Sequence, residues 1–274
     1  MTDFSLLLFS TDPEFIAQSV SAGVEGIVVD WENIGKDRRQ AFADTQINRD
    51  TLDDLIRVRA STKAKVICRI NRFGESTHSE VEQAVSAGAD ELLLPMVRTA
   101  TEVEKALELV RDRSGLGILV ETLSAVRTIN ELSQLPLSRI YVGLMDLAIE
   151  REMTNIFMAL ADGTVETIRQ SITCPFGFGG LTLPDRGYPI PCRLLIAEMV
   201  RLRCDFSFLR RSFHRDIRGK DPNVEIPRLS EALQKAKSRS KEEVAQDHAD
   251  LLEAIHKLGG ETLLVSDWNG RNTE

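Results

Sequence analysis

No apolar run in this chain approaches the ~20 residues that a membrane-spanning helix needs, so a transmembrane segment is not expected. Paired cysteines are lacking too. Cys68, Cys174, Cys192 and Cys204 lie far apart with no C-x-x-C, a pattern that suits buried free thiols in a reducing compartment and predicts a cytoplasmic protein. The start, Met1-Thr2-Asp3-Phe4, carries an acid where a signal peptide would be basic, and no small-residue cleavage pattern follows, so no signal peptide is expected. A basic excess is also missing: 34 Lys and Arg face 42 Asp and Glu, giving a formal charge of −8. Such a surface repels nucleic acid and anionic membranes, and binding of a small anion must then rest on local arginines or a metal. Finally, no G-x-G-x-x-G follows the first apolar strand, which argues against an open dinucleotide-binding sheet.

What is present is a rhythm. Val20-Ser21-Ala22-Gly23-Val24-Glu25 before Gly26-Ile27-Val28-Val29-Asp30 echoes Val85-Ser86-Ala87-Gly88-Ala89-Asp90 before Glu91-Leu92-Leu93-Leu94-Pro95, 65 residues further on. Each is a helix end, a glycine suited to a left-handed C-cap, an acid and an apolar strand, and the interval holds about two βα units. Continued along the chain, the pattern predicts strands over Leu6 to Phe9, Ile27 to Glu32, Lys65 to Asn71, Glu91 to Pro95, Gly117 to Glu121, Arg139 to Gly143, Pro175 to Gly179 and Phe206 to Arg210. Helical periodicity fills the gaps, as in 101–110 and 193–202. Short strands apolar on both faces, alternating with helices, predict a (β/α)8 TIM barrel over residues 1–220. Residues 221–260 read as an additional helical extension with a stop at Gly259-Gly260, and residues 261–274 as a tail. The extension suits a lid, an arm on a neighbouring subunit in a homo-oligomer, or a helix folded onto its own barrel.

In a barrel of this kind the carboxyl ends of the strands share one mouth. Those ends carry Asp30, Glu32 and Arg69 as candidate catalytic residues, Asn71 as a candidate substrate ligand, Glu121, and Asp146 just beyond the sixth strand. Glu121 and Asp146 would lie side by side, placed to hold a divalent cation. Asp30 and Glu32 share strand parity and can face the same way, although pairing with Lys36, Arg38 or Arg39 would explain them equally well. Asp146 could instead cap a helix. Arg69, between Cys68 and Ile70, needs a charged partner if it is buried. After the eighth strand, Arg210 and Arg211 could bind a second carboxylate or phosphate of a substrate, or pair with Asp205 or Asp216. His214 is either a base at the mouth or a surface-loop histidine. A Schiff-base aldolase is disfavoured, because no lysine falls inside strands five to eight and Lys65 opens strand three at the wrong end. The glycines of 177–180 could receive a phosphate, but close packing of backbone explains them too.

Taken in order, Asp30-Trp31-Glu32, Arg69-Ile70-Asn71, Pro95, Glu121-Thr122 and Gly143-Leu144-Met145-Asp146-Leu147 resemble the HpcH/HpaI aldolase and citrate lyase β-subunit family, over roughly residues 20 to 150. The resemblance implies a phosphoenolpyruvate/pyruvate-type barrel with Mg²⁺ or Mn²⁺ on Glu121 and Asp146. It implies a carbon–carbon lyase acting on a small carboxylate or its acyl thioester, with Arg69 stabilising an enolate. Two positions depart from it. Asn33 stands where the aldolase branch has a proton-transferring histidine and the citrate lyase branch an aspartate, and Met96 stands where a lysine often follows the proline. Asn33 cannot act as a general base. Intact Arg69, Glu121 and Asp146 therefore point to a metal-dependent lyase, while Asn33 and Met96 point to a catalytically silent barrel serving as a binding or assembly subunit.

Overall fold

The computed structural model describes residues 4–34 and 49–258. Lys36, Arg38, Arg39, the stop at Gly259-Gly260 and the tail lie outside the described residues. Eight parallel strands, β1 (Ser5–Phe9), β2 (Gly26–Asp30), β3 (Lys65–Arg69), β4 (Glu91–Leu94), β5 (Gly115–Val120), β6 (Arg139–Val142), β7 (Phe176–Phe178) and β8 (Phe206–Leu209), pair in sequence order from β1 to β7, with β8 against β1. The last seam, β7 to β8, is held by Asp205 N–H donating to the Phe176 carbonyl at 2.8 Å and Ser207 Oγ donating to the Phe178 carbonyl at 2.8 Å. Those bonds bring the sheet round into a nearly closed α/β barrel with helices between its strands.

Side-chain parity divides the interior. Leu7, Phe9, Val28, Ile67, Leu93, Leu119, Tyr141, Phe206 and Phe208 fill the barrel, whereas the alternate residues, such as Leu6, Leu8, Ile27, Val29, Leu92 and Leu94, pack outward against the helices. Strands buried on both faces are why these segments read as unbroken apolar runs. Below this apolar filling, Arg139 of β6 forms a two-pronged ion pair with Glu91 of β4, one bond at 2.8 Å, and its guanidinium lies 4.6 Å over the Phe206 ring. Gly117 of β5 leaves the room for it, since a Cβ there would come within 2.7 Å of Arg139 Cγ. The close approach of β7 to β8 likewise requires Gly177, whose added Cβ would overlap the Phe206 carbonyl oxygen.

The helices after β8 fold back onto the barrel. Pro222–Lys237 packs against Pro13–Ser21 and Cys192–Arg201, and Lys241–Leu258 packs against Cys192–Arg201 and Met158–Ala161. Leu251 and Ile255 are fully buried there, Asn155 Nδ2 donates to the Ile255 carbonyl at 2.9 Å, and His248 Nδ1 sits 3.0 Å from the buried Glu198. Of the three roles open to this segment, the structure shows a helix folded onto its own barrel. The four cysteines are unpaired, Cys68 and Cys192 buried and the other two partly so. Among the described residues no helix is long and apolar enough to cross a membrane.

Candidate active site

The mouth is assembled from strand ends. Asp30 closes β2 and Arg69 closes β3, directly opposite each other in the register of the sheet and both facing inward. Arg69 Nε donates to Asp30 Oδ1 at 2.8 Å and Nη2 to Oδ2 at 2.6 Å, the two-pronged geometry a guanidinium favours. Its third arm, Nη1, meets Glu32 Oε2 at 3.1 Å. All three residues are buried. Burial opposes the charge on Arg69, but Asp30 and Glu32 outweigh it and hold the guanidinium above its ordinary proton affinity. Asp30 and Glu32 are thus the partners that keep Arg69 charged and fixed. The Asp30 N–H in turn donates to Asp50 Oδ2 at 2.8 Å, and burial pushes the Asp50 carboxyl up to about 6.

Opposite this cluster lie the two acids proposed for a cation. Glu121 follows β5, is 2% exposed and accepts the Met96 N–H at 2.9 Å. Met96 holds a left-handed φ of 54°, an uncommon conformation for a residue with a side chain. Glu121 needs Gly143 beside it, because a Cβ at that position would overlap Glu121 Oε2. Asp146 sits in the first turn of the helix Leu144–Glu150 and is 8% exposed. Burial above all, with the negative charges of Asp146 and Glu32, raises the Glu121 carboxyl to about 8 against the opposing pull of Arg69 and of the Met96 N–H.

Among the described residues no group of three or more His, Cys, Asp or Glu side chains is arranged to hold a metal. The donor set present is two buried carboxylates, with the charge of Asp146 acting on Glu121, which fits a hard cation that keeps water or substrate oxygens in its other positions rather than a closed protein cage.

The remaining expected residues fall at different places. Asn71 is buried, but its amide is occupied by the protein: Oδ1 accepts from the Asn33 and Ile34 N–H groups at 2.9 and 2.8 Å, and Nδ2 donates to Glu80 at 2.9 Å. It fixes the loop after β2. Arg210, just past β8, reaches the mouth, with its guanidinium 4.4 Å over the Phe9 ring and 3.6 Å from Asp30 Oδ2. Arg211 begins the next helix, Arg211–Asp216. Neither acid offered as their partner serves Arg210: Asp205 accepts the Phe176 N–H, and Asp216 takes Arg215 and Thr182. His214 lies on that helix rather than in a loop, half-buried, with Nε2 2.6 Å from the Phe9 carbonyl. Burial lowers its proton affinity, so the ring is a neutral partner of the backbone.

Several residues of the mouth carry no signal in the sequence. Asp50 and Glu80 reach it from outside the strands, and Phe9 and Tyr141 belong to strands that read as plain apolar filling.

A parallel (β/α)8 barrel with buried acids and a fixed arginine at the carboxyl ends of its strands belongs to the class of barrel proteins that carry their chemistry at that mouth. Within that class, the HpcH/HpaI aldolase/citrate lyase family model matches residues 4–159, more than half of the chain, and the chain belongs to this family, which gives it a lyase-type function. A comparison with curated proteins found no match. The matched span holds Asp30, Glu32, Arg69, Glu121 and Asp146, whereas Arg210 lies beyond it.

Proposed function

We propose that this protein is a divalent-metal-dependent carbon–carbon lyase acting on a small 2-oxo or hydroxy acid, or its acyl thioester. The observation that carries this reading is a buried Arg69, fixed by Asp30 and Glu32, on the same mouth as the buried pair Glu121 and Asp146. Glu121 and Asp146 would hold Mg²⁺ or Mn²⁺, which when bound polarises the carboxylate and keto oxygens of a 2-oxo acid. Arg69 has N–H groups left over from its two carboxylate partners. They would stabilise the oxygen on which negative charge grows as the bond breaks. Because that guanidinium is already fixed, little reorganisation accompanies the charge build-up. Arg210, less buried and only 3.6 Å from an acid already bound to Arg69, is free to exchange that contact for a second anionic group on the substrate. Arg211 is the other candidate for that group.

Calorimetry with Mg²⁺ and Mn²⁺, with and without pyruvate or oxaloacetate, tests the site on the wild type and on Glu121→Gln. Metal binding that is lost in the variant supports it; absent binding, or binding indifferent to the substitution, sinks it. Asn33 favours the other reading, a barrel that binds without turnover, because no base stands at that position. Release of pyruvate, glyoxylate or an acetyl thioester from a substrate panel separates the two.

A further inference from the structure

Tyr141 brings a hydroxyl into the apolar filling of the barrel. It stands on β6 with its face toward the interior, two residues before Gly143, and is 7% exposed. Its ring is held by aromatic neighbours, Phe208 at 4.1 Å and Phe206 at 5.9 Å between centroids, and Phe208 in turn packs edge-on against Phe9 at 5.2 Å. Phe9 lies beneath both mouth arginines, with the Arg69 and Arg210 guanidiniums 5.2 and 4.4 Å from its ring. These rings form a floor under the mouth. The hydroxyl of Tyr141 rises at its edge beside Gly179, where a Cβ would come within 2.8 Å of it. Among the described residues this hydroxyl makes no hydrogen bond, and the oxygen is not sealed from solvent. A tyrosine that is nine-tenths buried ordinarily gives its O–H a partner. Here no partner stands among the described residues, and three members of the mouth, Arg210, Arg69 and Glu121, are among the groups whose charges act on the hydroxyl.

We propose that Tyr141 is a catalytic residue of this mouth, the proton donor to the enolate carbon of a small 2-oxo acid. The inference rests on the lyase reading above and supplies what Asn33 withholds. When the carbon–carbon bond of the substrate breaks, the hydroxyl of the leaving fragment becomes a carbonyl and gives its proton to water, and the electron pair of the broken bond remains on the 2-oxo acid fragment as an enolate. The enolate's carbon–carbon π pair then takes the Tyr141 proton, forming the C–H bond of a methyl group, and the O–H pair stays on the phenolate oxygen. Arg210 and Arg69 sit where they stabilise that phenolate, which recovers a proton from water. Burial keeps the hydroxyl protonated well above the ordinary range of tyrosine. It therefore carries its proton at neutral pH, and the nearby guanidiniums offset the cost of giving it up.

Exchange of the methyl protons of pyruvate for deuterium, followed by NMR in D₂O with Mg²⁺, reads this step directly, because the group that delivers the proton also removes it in reverse. The expected result is exchange in the wild type and a loss of about 100-fold or more in Tyr141→Phe, the lower range for removal of a general acid–base group. Calorimetric affinities for Mg²⁺ and for pyruvate should be unchanged, and the thermal midpoint should not fall, since the substitution removes only an O–H without a partner. Exchange in Tyr141→Phe within twofold of wild type overturns the role of Tyr141 and leaves the lyase reading standing. Absent exchange in a wild type that binds both Mg²⁺ and pyruvate also overturns the role of Tyr141, because the enolate it would protonate does not form, and leaves the lyase reading to the substrate panel. Failure of the wild type to bind either overturns the lyase reading and this inference with it.

Discussion

Asp30 shows how much one side chain settles at this mouth. It takes two arms of Arg69, accepts the Glu32 N–H at 3.2 Å and lies within 3.6 Å of Arg210, with no exposure to solvent. Removing it leaves a buried guanidinium with Glu32 as its remaining close acid. Asp30→Ala is expected to lower stability by about 3–5 kcal/mol, the usual cost of breaking a buried ion pair from one side. Urea unfolding monitored by circular dichroism measures this, and a loss under 1 kcal/mol would show that the pair contributes little. Glu121 makes a prediction of opposite character. Its folded value of about 8 lies above the ordinary 4.5, so the folded state holds the proton more tightly than the unfolded chain does. Its contribution to stability is fully present below about 4.5 and is lost as the pH rises through about 8. Metal-free protein should therefore melt at lower temperature as the pH is raised across that window, and Glu121→Gln should flatten the dependence; an equally steep curve in the variant would assign the slope to other groups.

At the scale of the elements, the decisive residues are those that let strand ends come together. Gly143, the first residue after β6, carries no side chain because Glu121 Oε2 occupies the place of its Cβ. Gly143→Ala should displace Glu121, weakening Mg²⁺ binding in calorimetry at least tenfold, at a stability cost of about 1–3 kcal/mol from overpacking. Unchanged affinity would mean that Glu121 is not a ligand. The strands themselves were legible in the sequence because burial on both faces writes each as a short apolar run, and parity correctly turned Asp30 and Arg69 inward. The expected ends were less accurate: β2 stops at Asp30 rather than Glu32, and β5 begins at Gly115 rather than Gly117. A strand's last residues are set by what its neighbour offers. Trp31 N–H still reaches the Arg69 carbonyl at 2.8 Å, but the Asp30 N–H must take its acceptor from the side chain of Asp50. Partners of that kind are chosen across the fold. This is why Asn71 read as a substrate ligand although its amide is bound to Asn33, Ile34 and Glu80, and why Tyr141 read as filling.

Over the whole molecule the barrel and the C-terminal helices act as one packed body. Lys241–Leu258 buries Leu251 and Ile255 against the barrel's own helices, and it is tied down by Asn155 on one side and Glu198 on the other. Glu198 itself is buried and gripped by Arg201 at 2.8 Å, so His248 meets an acid already fixed in place. A lid or a swapped arm would present an apolar stripe that leaves its own barrel; this helix spends its stripe at home. Truncating Leu251 should therefore be felt as a core substitution rather than as a change at the mouth. Leu251→Ala is expected to cost about 2–5 kcal/mol in urea unfolding, while Mg²⁺ affinity measured under folding conditions stays within twofold of wild type. The separation of the two readouts matters: a loss of metal binding without a loss of stability would place this helix over the mouth, and a loss of neither would mean that its apolar stripe does not hold the barrel together.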